Sequence, residues 1–167
     1  MRKQWLFGWL AALALLLSLS VAACIQPITA EGVQTGELAV AQAAADEATE
    51  AINKAAFRAW TDALNTGDWD VIDRATDKYY AKDHVVHNPN LPAGTGGPED
   101  IKRLVHEFIL ASPDFHSTIE EMIAEGDMLA TRVTLTGHDP NDPAAKLTVL
   151  NIARFVDGQF AEEWELP

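Results

Sequence analysis

Apolar residues recur every three or four positions over residues 52–64 and every second position beyond residue 115, so helices are expected first and strands afterwards. Ile52, Ala55, Ala56, Ala59, Trp60, Ala63 and Leu64 form one helical stripe. Gly67 ends that helix, and Asp68 suits the N-cap of a second one carrying Trp69, Ile72 and Tyr79. Residues 85–87 form a short extended piece, and the run from Asn88 to Pro98 is a loop by composition. Pro98 fits the first turn of a third helix, with Glu99 and Asp100 at its positive end. Its apolar side is Ile101, Leu104, Val105, Phe108 and Ile109. The alternating segments 115–125, 128–138, 147–156 and 159–166 are predicted strands, and Gly126 and Asp157-Gly158 mark tight hairpins. Three helices followed by a mostly antiparallel sheet define an α+β domain.

The start of the chain obeys a different logic. Arg2 and Lys3 precede an apolar run from Trp5 to Ala23, broken only by Gly8, Ser18 and Ser20, which is the pattern of a secretory signal. The run is also long enough for an uncleaved membrane helix. Leu19-Ser20-Val21-Ala22-Ala23-Cys24 resembles the bacterial lipobox, which makes Cys24 the expected lipid-carrying first residue after cleavage. The expected organisation is a signal at 1–23, a tether at 24–45 and one domain at 46–167. This places the domain in the cell envelope, on the extracytoplasmic face of a membrane. Cys24 is the only cysteine, so no intrachain disulfide forms.

Charge narrows the partners. The chain carries a net −13, and removal of residues 1–23 leaves 10 basic against 25 acidic residues, a net −15. Such a field disfavours nucleic acid and anionic lipid headgroups.

Strand alternation sorts the candidate chemistry onto faces. Leu129, Thr131, Val133 and Leu135 share one face of their strand; Arg132, Thr134, Thr136 and His138 share the other. In the next strand Asn151 is a lone amide on the apolar face of Leu147, Val149, Ala153 and Phe155. It must be satisfied either within the core or by a ligand. Arg132 either anchors a ligand oxygen or pairs with surface acids. His84 and His87 point to opposite faces of a short strand, so their spacing does not make a metal site. Trp60, Tyr79 and Phe108 read as core aromatics, some of which line a pocket.

Several stretches, in this order and spacing, resemble the SnoaL-like polyketide cyclase family within the nuclear-transport-factor-2-like superfamily. They are His87-Asn88-Pro89, residues 97–102, residues 112–115, residues 123–127, residues 132–138 and residues 152–164. The resemblance implies a cone of helices on a curved sheet around a pocket for a small hydrophobic ligand, without cofactor or metal, and a possible homodimer. Family cyclases use a pocket carboxylate to move a carbon-bound proton; that position falls on Asn151 here, and Glu163 stands where a histidine is frequent before the terminal Trp164. Two functions follow. One is a ligand-binding cyclase-like domain contacting its ligand through Asn151, Arg132, Trp60, Tyr79, Phe108 and Trp164. The other is a cofactor-independent cyclase, isomerase or hydratase with His87 or His138 as its acid/base group.

Overall fold

The computed structural model describes residues 30–139, 141, 142 and 144–166. The predicted signal and Cys24 lie outside the described residues. The chain divides into two compact units, residues 1–40 and 41–167. The described part of the first is the opening of helix α1 (Ala30–Leu64). Of the stretch 24–45 assigned from sequence to a tether, residues 30–45 are helical: alanines at 39, 41, 43, 44 and 45 supply helix propensity where no apolar stripe exists. Side chains from residue 35 to 49 are all exposed. No helix among the described residues is long and apolar enough to cross a membrane.

In the second unit, Gly67 adopts φ +62° and closes α1. The Asp68 carboxylate then accepts from the N–H groups of Asp70 and Val71 and starts α2 (Trp69–Tyr79). Strand β1 (Tyr80–His87) follows without a break, then α3 (Gly97–Ala111) and four further strands. These are β2 (His116–Glu125), β3 (Met128–Thr136), β4 (Leu147–Val156) and β5 (Gln159–Leu166). The predicted strands therefore stand within two residues of their expected bounds; β1 is longer than the expected extended piece.

The five strands form one sheet in the order β1-β5-β4-β3-β2. Only the β1–β5 pair is parallel. Asp157 at φ +52° and Gly158 at φ +74° give the β4–β5 hairpin the paired positive dihedrals that match strand twist. Gly137 is required for a different reason: a Cβ there would run into the Asp114 carbonyl, so β3 can leave the sheet only through a glycine.

The core lies between the helices and the inner sheet face. Phe160 is 0% exposed; its ring stacks on Tyr80 at 4.7 Å and tilts against Phe155 at 4.5 Å and Phe57 at 6.0 Å. Burying one such ring contributes about 1.5–3 kcal/mol. Asn65 ties the end of α1 to β2, donating to Ser117 O and accepting from Ser117 N, both at 2.8 Å.

Candidate active site

A cavity of about 440 Å³ opens between α3, the end of α1 and the inner face of the sheet. Its apolar wall comes from the predicted buried side of α3 (Ile101, Leu104, Val105, Phe108 and Ile109), with Trp60, Leu64, Phe115, Leu135 and Val149 opposite. The loop after β1 forms its rim through Asn88, Asn90 and Leu91, and Thr95 O accepts from Val86 N at 3.3 Å to bind that loop to β1. Gly96 sits so close to the backbone of His84 that a Cβ would strike the His84 carbonyl, which brings α3 hard against β1.

The polar part of the cavity comes from β5 and β1, and two departures from regular pairing put it there. Between Arg154↔Glu162 and Phe155↔Phe160 the β4–β5 ladder slips, leaving Ala161 as an extra residue. A single extra residue reverses which side chains face inward. Phe160 points into the core, and after the bulge it is Glu163 and Glu165 that turn to the cavity. Strand β1 slips further, between Tyr80↔Phe160 and Val85↔Glu162. There His84 is carried inward, its side chain 0% exposed.

Glu163 is 4% exposed and held from two sides. Asn151 Nδ2 donates to Oε1 at 3.1 Å. His84 Nε2 lies 3.0 Å from Oε2, outside hydrogen-bond alignment. Tyr80 also faces this carboxyl; burial, then the Glu163 and Glu165 charges, push its hydroxyl well above the usual phenol range. Glu165 takes a hydrogen bond on Oε2 from Asn88 Nδ2 at 3.0 Å. Burial and the neighbouring Glu163 charge nonetheless raise its carboxyl above the ordinary value, against the Asn88 hydrogen bond and the pull of His84. No Lys, Arg or His lines the cavity among the described residues.

The residues singled out from sequence separate into three groups. Trp60 and Phe108 line the cavity. Asn151, 6% exposed, lies behind its floor: the amide is satisfied on one side by Glu163, and its Oδ1 has no partner among the described residues. The others are elsewhere. Trp164 faces the outer side because of the Ala161 bulge, and its ring stacks on His87 at 5.1 Å and 11°. His87 Nε2 meets Glu162 at 2.8 Å on that same outer side, where Arg154 also binds Glu162 at 3.0 Å. Arg132 pairs with Glu121 at 3.2 Å, the surface alternative of its two expected roles. Tyr79 packs against the core and under Lys78, away from the cavity lining. His138 stands where β3 leaves the sheet past Gly137; its carbonyl accepts from Ser112 Oγ at 3.0 Å, and its ring does not line the cavity. Cys24 lies outside the described residues. No group of three His, Cys, Asp or Glu suited to a metal occurs among the described residues.

The sequence reading missed Glu165 and Asn88 as cavity groups, took Tyr80 only as one of the aromatics that could line a pocket, and counted Glu163 and His84 only as a replacement and as half of a rejected metal pair. The available signal was the run Glu162-Glu163-Trp164-Glu165, in which acids occupy positions of both faces although alternation demands an apolar residue at every second one.

Comparison with known proteins agrees with the geometry. A model of the SnoaL-like domain matches residues 57–163. No curated protein matches the chain. Among solved structures, a loop-truncation variant of IdmH is 25% identical with a TM-score of 0.57, over 68% of this chain and 91% of that one. A candidate polyketide cyclase from Bacillus cereus is 25% identical with a TM-score of 0.56, over 66% of this chain and 70% of that one. Wild-type IdmH from Streptomyces antibioticus shares the fold at 23% identity and a TM-score of 0.54, over 68% and 90% of the two chains.

Proposed function

Because this chain belongs to the SnoaL-like domain family, we propose that it is an exported, lipid-anchored, polyketide-cyclase-like domain whose cavity takes a small, largely apolar molecule without a cofactor. The observation that carries the reading is the cavity of about 440 Å³, walled by α3 and the inner sheet face and carrying few, clustered polar groups. Pockets of that size and composition suit small hydrophobic ligands. The signal-like run before Cys24 supports export and the anchor. Leu150 and Ile152, exposed on the outer sheet face, support a homodimer that covers them.

The enzyme reading through His87 or His138 draws no support from their positions, since neither ring lines the cavity. Glu163 and Glu165 are the groups there that exchange protons, so turnover, if found, falls to them.

The test is a titration of the domain with small apolar compounds, followed by calorimetry. Saturable binding that vanishes when Leu135→Trp fills the cavity is the expected result; binding unchanged by that substitution would place the ligand elsewhere. Mass spectrometry of the membrane-bound protein should find acyl chains on Cys24, and an intact residue 1–23 segment would overturn the anchor.

A further inference from the structure

The walls and the floor of the cavity make unlike demands on a ligand. The walls are aliphatic and aromatic, and the acids are concentrated on one strand: Glu163 and Glu165 both reach the cavity, and no basic side chain does. Glu163 accepts from Asn151 on one oxygen and has the His84 ring 3.0 Å from the other. Glu165 is engaged through Oε2 alone, by Asn88, and its Oε1 has no donor among the described residues.

We propose that the cavity selects an apolar molecule ending in a positively charged amine, with Glu165 as its counter-charge. The proposal rests on the ligand-binding reading above and names the chemical class of that ligand.

Three considerations carry it. A carboxylate in an apolar cavity is costly unless a cation or donor meets it, and a ligand ammonium does so with a charge-assisted hydrogen bond. An anionic ligand would set its charge against the acids of β5 and is rejected. The net charge of −13 raises the local concentration of cations around the whole molecule. The groups facing Glu165 are Glu163 on its own strand, Tyr80 and His84 on β1, and Asn88 in the following loop. Burial and Glu163 hold the Glu165 proton to higher pH than usual; an ammonium displaces that proton, so amine affinity rises as pH rises through the titration of Glu165.

The experiment compares three ligands of one shape, octylamine, octanol and octanoate, by isothermal titration against the soluble domain, its Glu165→Gln variant and the Leu135→Trp variant. Octylamine is expected to bind about tenfold more tightly than octanol, and octanoate more weakly than either. Glu165→Gln should bring octylamine to the octanol level and leave octanol unchanged. Equal binding of octylamine and octanol to the unaltered domain would overturn charge selection while leaving the cavity reading intact. Failure of all three to bind would overturn the cavity reading itself. Octylamine that keeps its advantage over octanol in Glu165→Gln, or that still binds Leu135→Trp, would be assigned to the acidic exterior and overturn the proposal.

Discussion

Strands β3 and β4 pair over eight successive positions without a slip, from Met128↔Arg154 to Leu135↔Leu147. Strand β5 is irregular on both edges: its ladder with β1 slips between Tyr80 and Val85, and its ladder with β4 slips at Ala161. The regular pair holds Leu129, Val133 and Ala153 in the core and lends Leu135 and Val149 to the apolar wall. The irregular pair carries Tyr80, His84, Glu163 and Glu165, nearly all the acid and its support. Regular pairing makes the container, and broken pairing aims the polar groups into it. An extra residue is the cheapest way to turn side chains that alternation would send to solvent toward a cavity.

Deleting Ala161 attacks that difference directly and should have the largest effect. Alternation would carry straight through β5, turning Glu163 and Glu165 outward and Trp164 inward. Folding stability should fall by about 3 kcal/mol or more in urea denaturation, and discrimination between octylamine and octanol should disappear. A deletion variant with unchanged stability and selectivity would show that the bulge does not aim the acids.

Asn151→Asp tests the contact between the two regions, because Asn151 on the regular strand supports Glu163 on the irregular one. The substitution removes the amide donor and sets a second carboxyl beside the first, so one of the two keeps its proton. The new group's folded pKa lies above its unfolded value; the variant should be close to normal in mild acid and lose stability as pH rises, by about 1–3 kcal/mol in all. Denaturation at a series of pH values measures it.

Glu165→Gln should act more gently. The folded pKa of Glu165 is raised, so its favourable contribution is complete below the ordinary carboxylate range and lost as pH rises through the raised value. The glutamine variant should lack that decline and be relatively more stable toward neutral pH. An unchanged pH profile would mean that Glu165 is better solvated than its surroundings indicate. Arg132→Ala, on the outer side of the regular pair, should leave both the thermal midpoint and ligand binding unchanged, as expected of an exposed ion pair.

The same contrast explains what the sequence disclosed. Strands β2 to β5 and the apolar side of α3 were legible because residues such as Leu129, Val133, Ile101 and Val105 repeat at the period of their element. Membership of the family, and the lone amide at Asn151, followed from the same register. The floor was not legible, because strict alternation from Phe160 puts Glu162 and Trp164 on the inner side, and the Ala161 bulge reverses them. Trp164, expected at the pocket from the family resemblance, lies on the outer face, and Glu165 was passed over. His87 was similarly placed by motif alone; its stacking on Trp164 shows that the two belong to the outer surface together.

Tyr80 and Phe160, stacked in the core, are also partners in the parallel pair, about eighty positions apart in the chain. The hairpins β2–β3 and β4–β5 close over two-residue turns and need little loop entropy, whereas the β1–β5 contact closes a loop of some eighty residues. The two ends of the acidic floor are thus unequally rooted. Its carboxylates ride on a local hairpin, while Tyr80, His84 and Asn88 around them depend on the longest-range contact in the sheet.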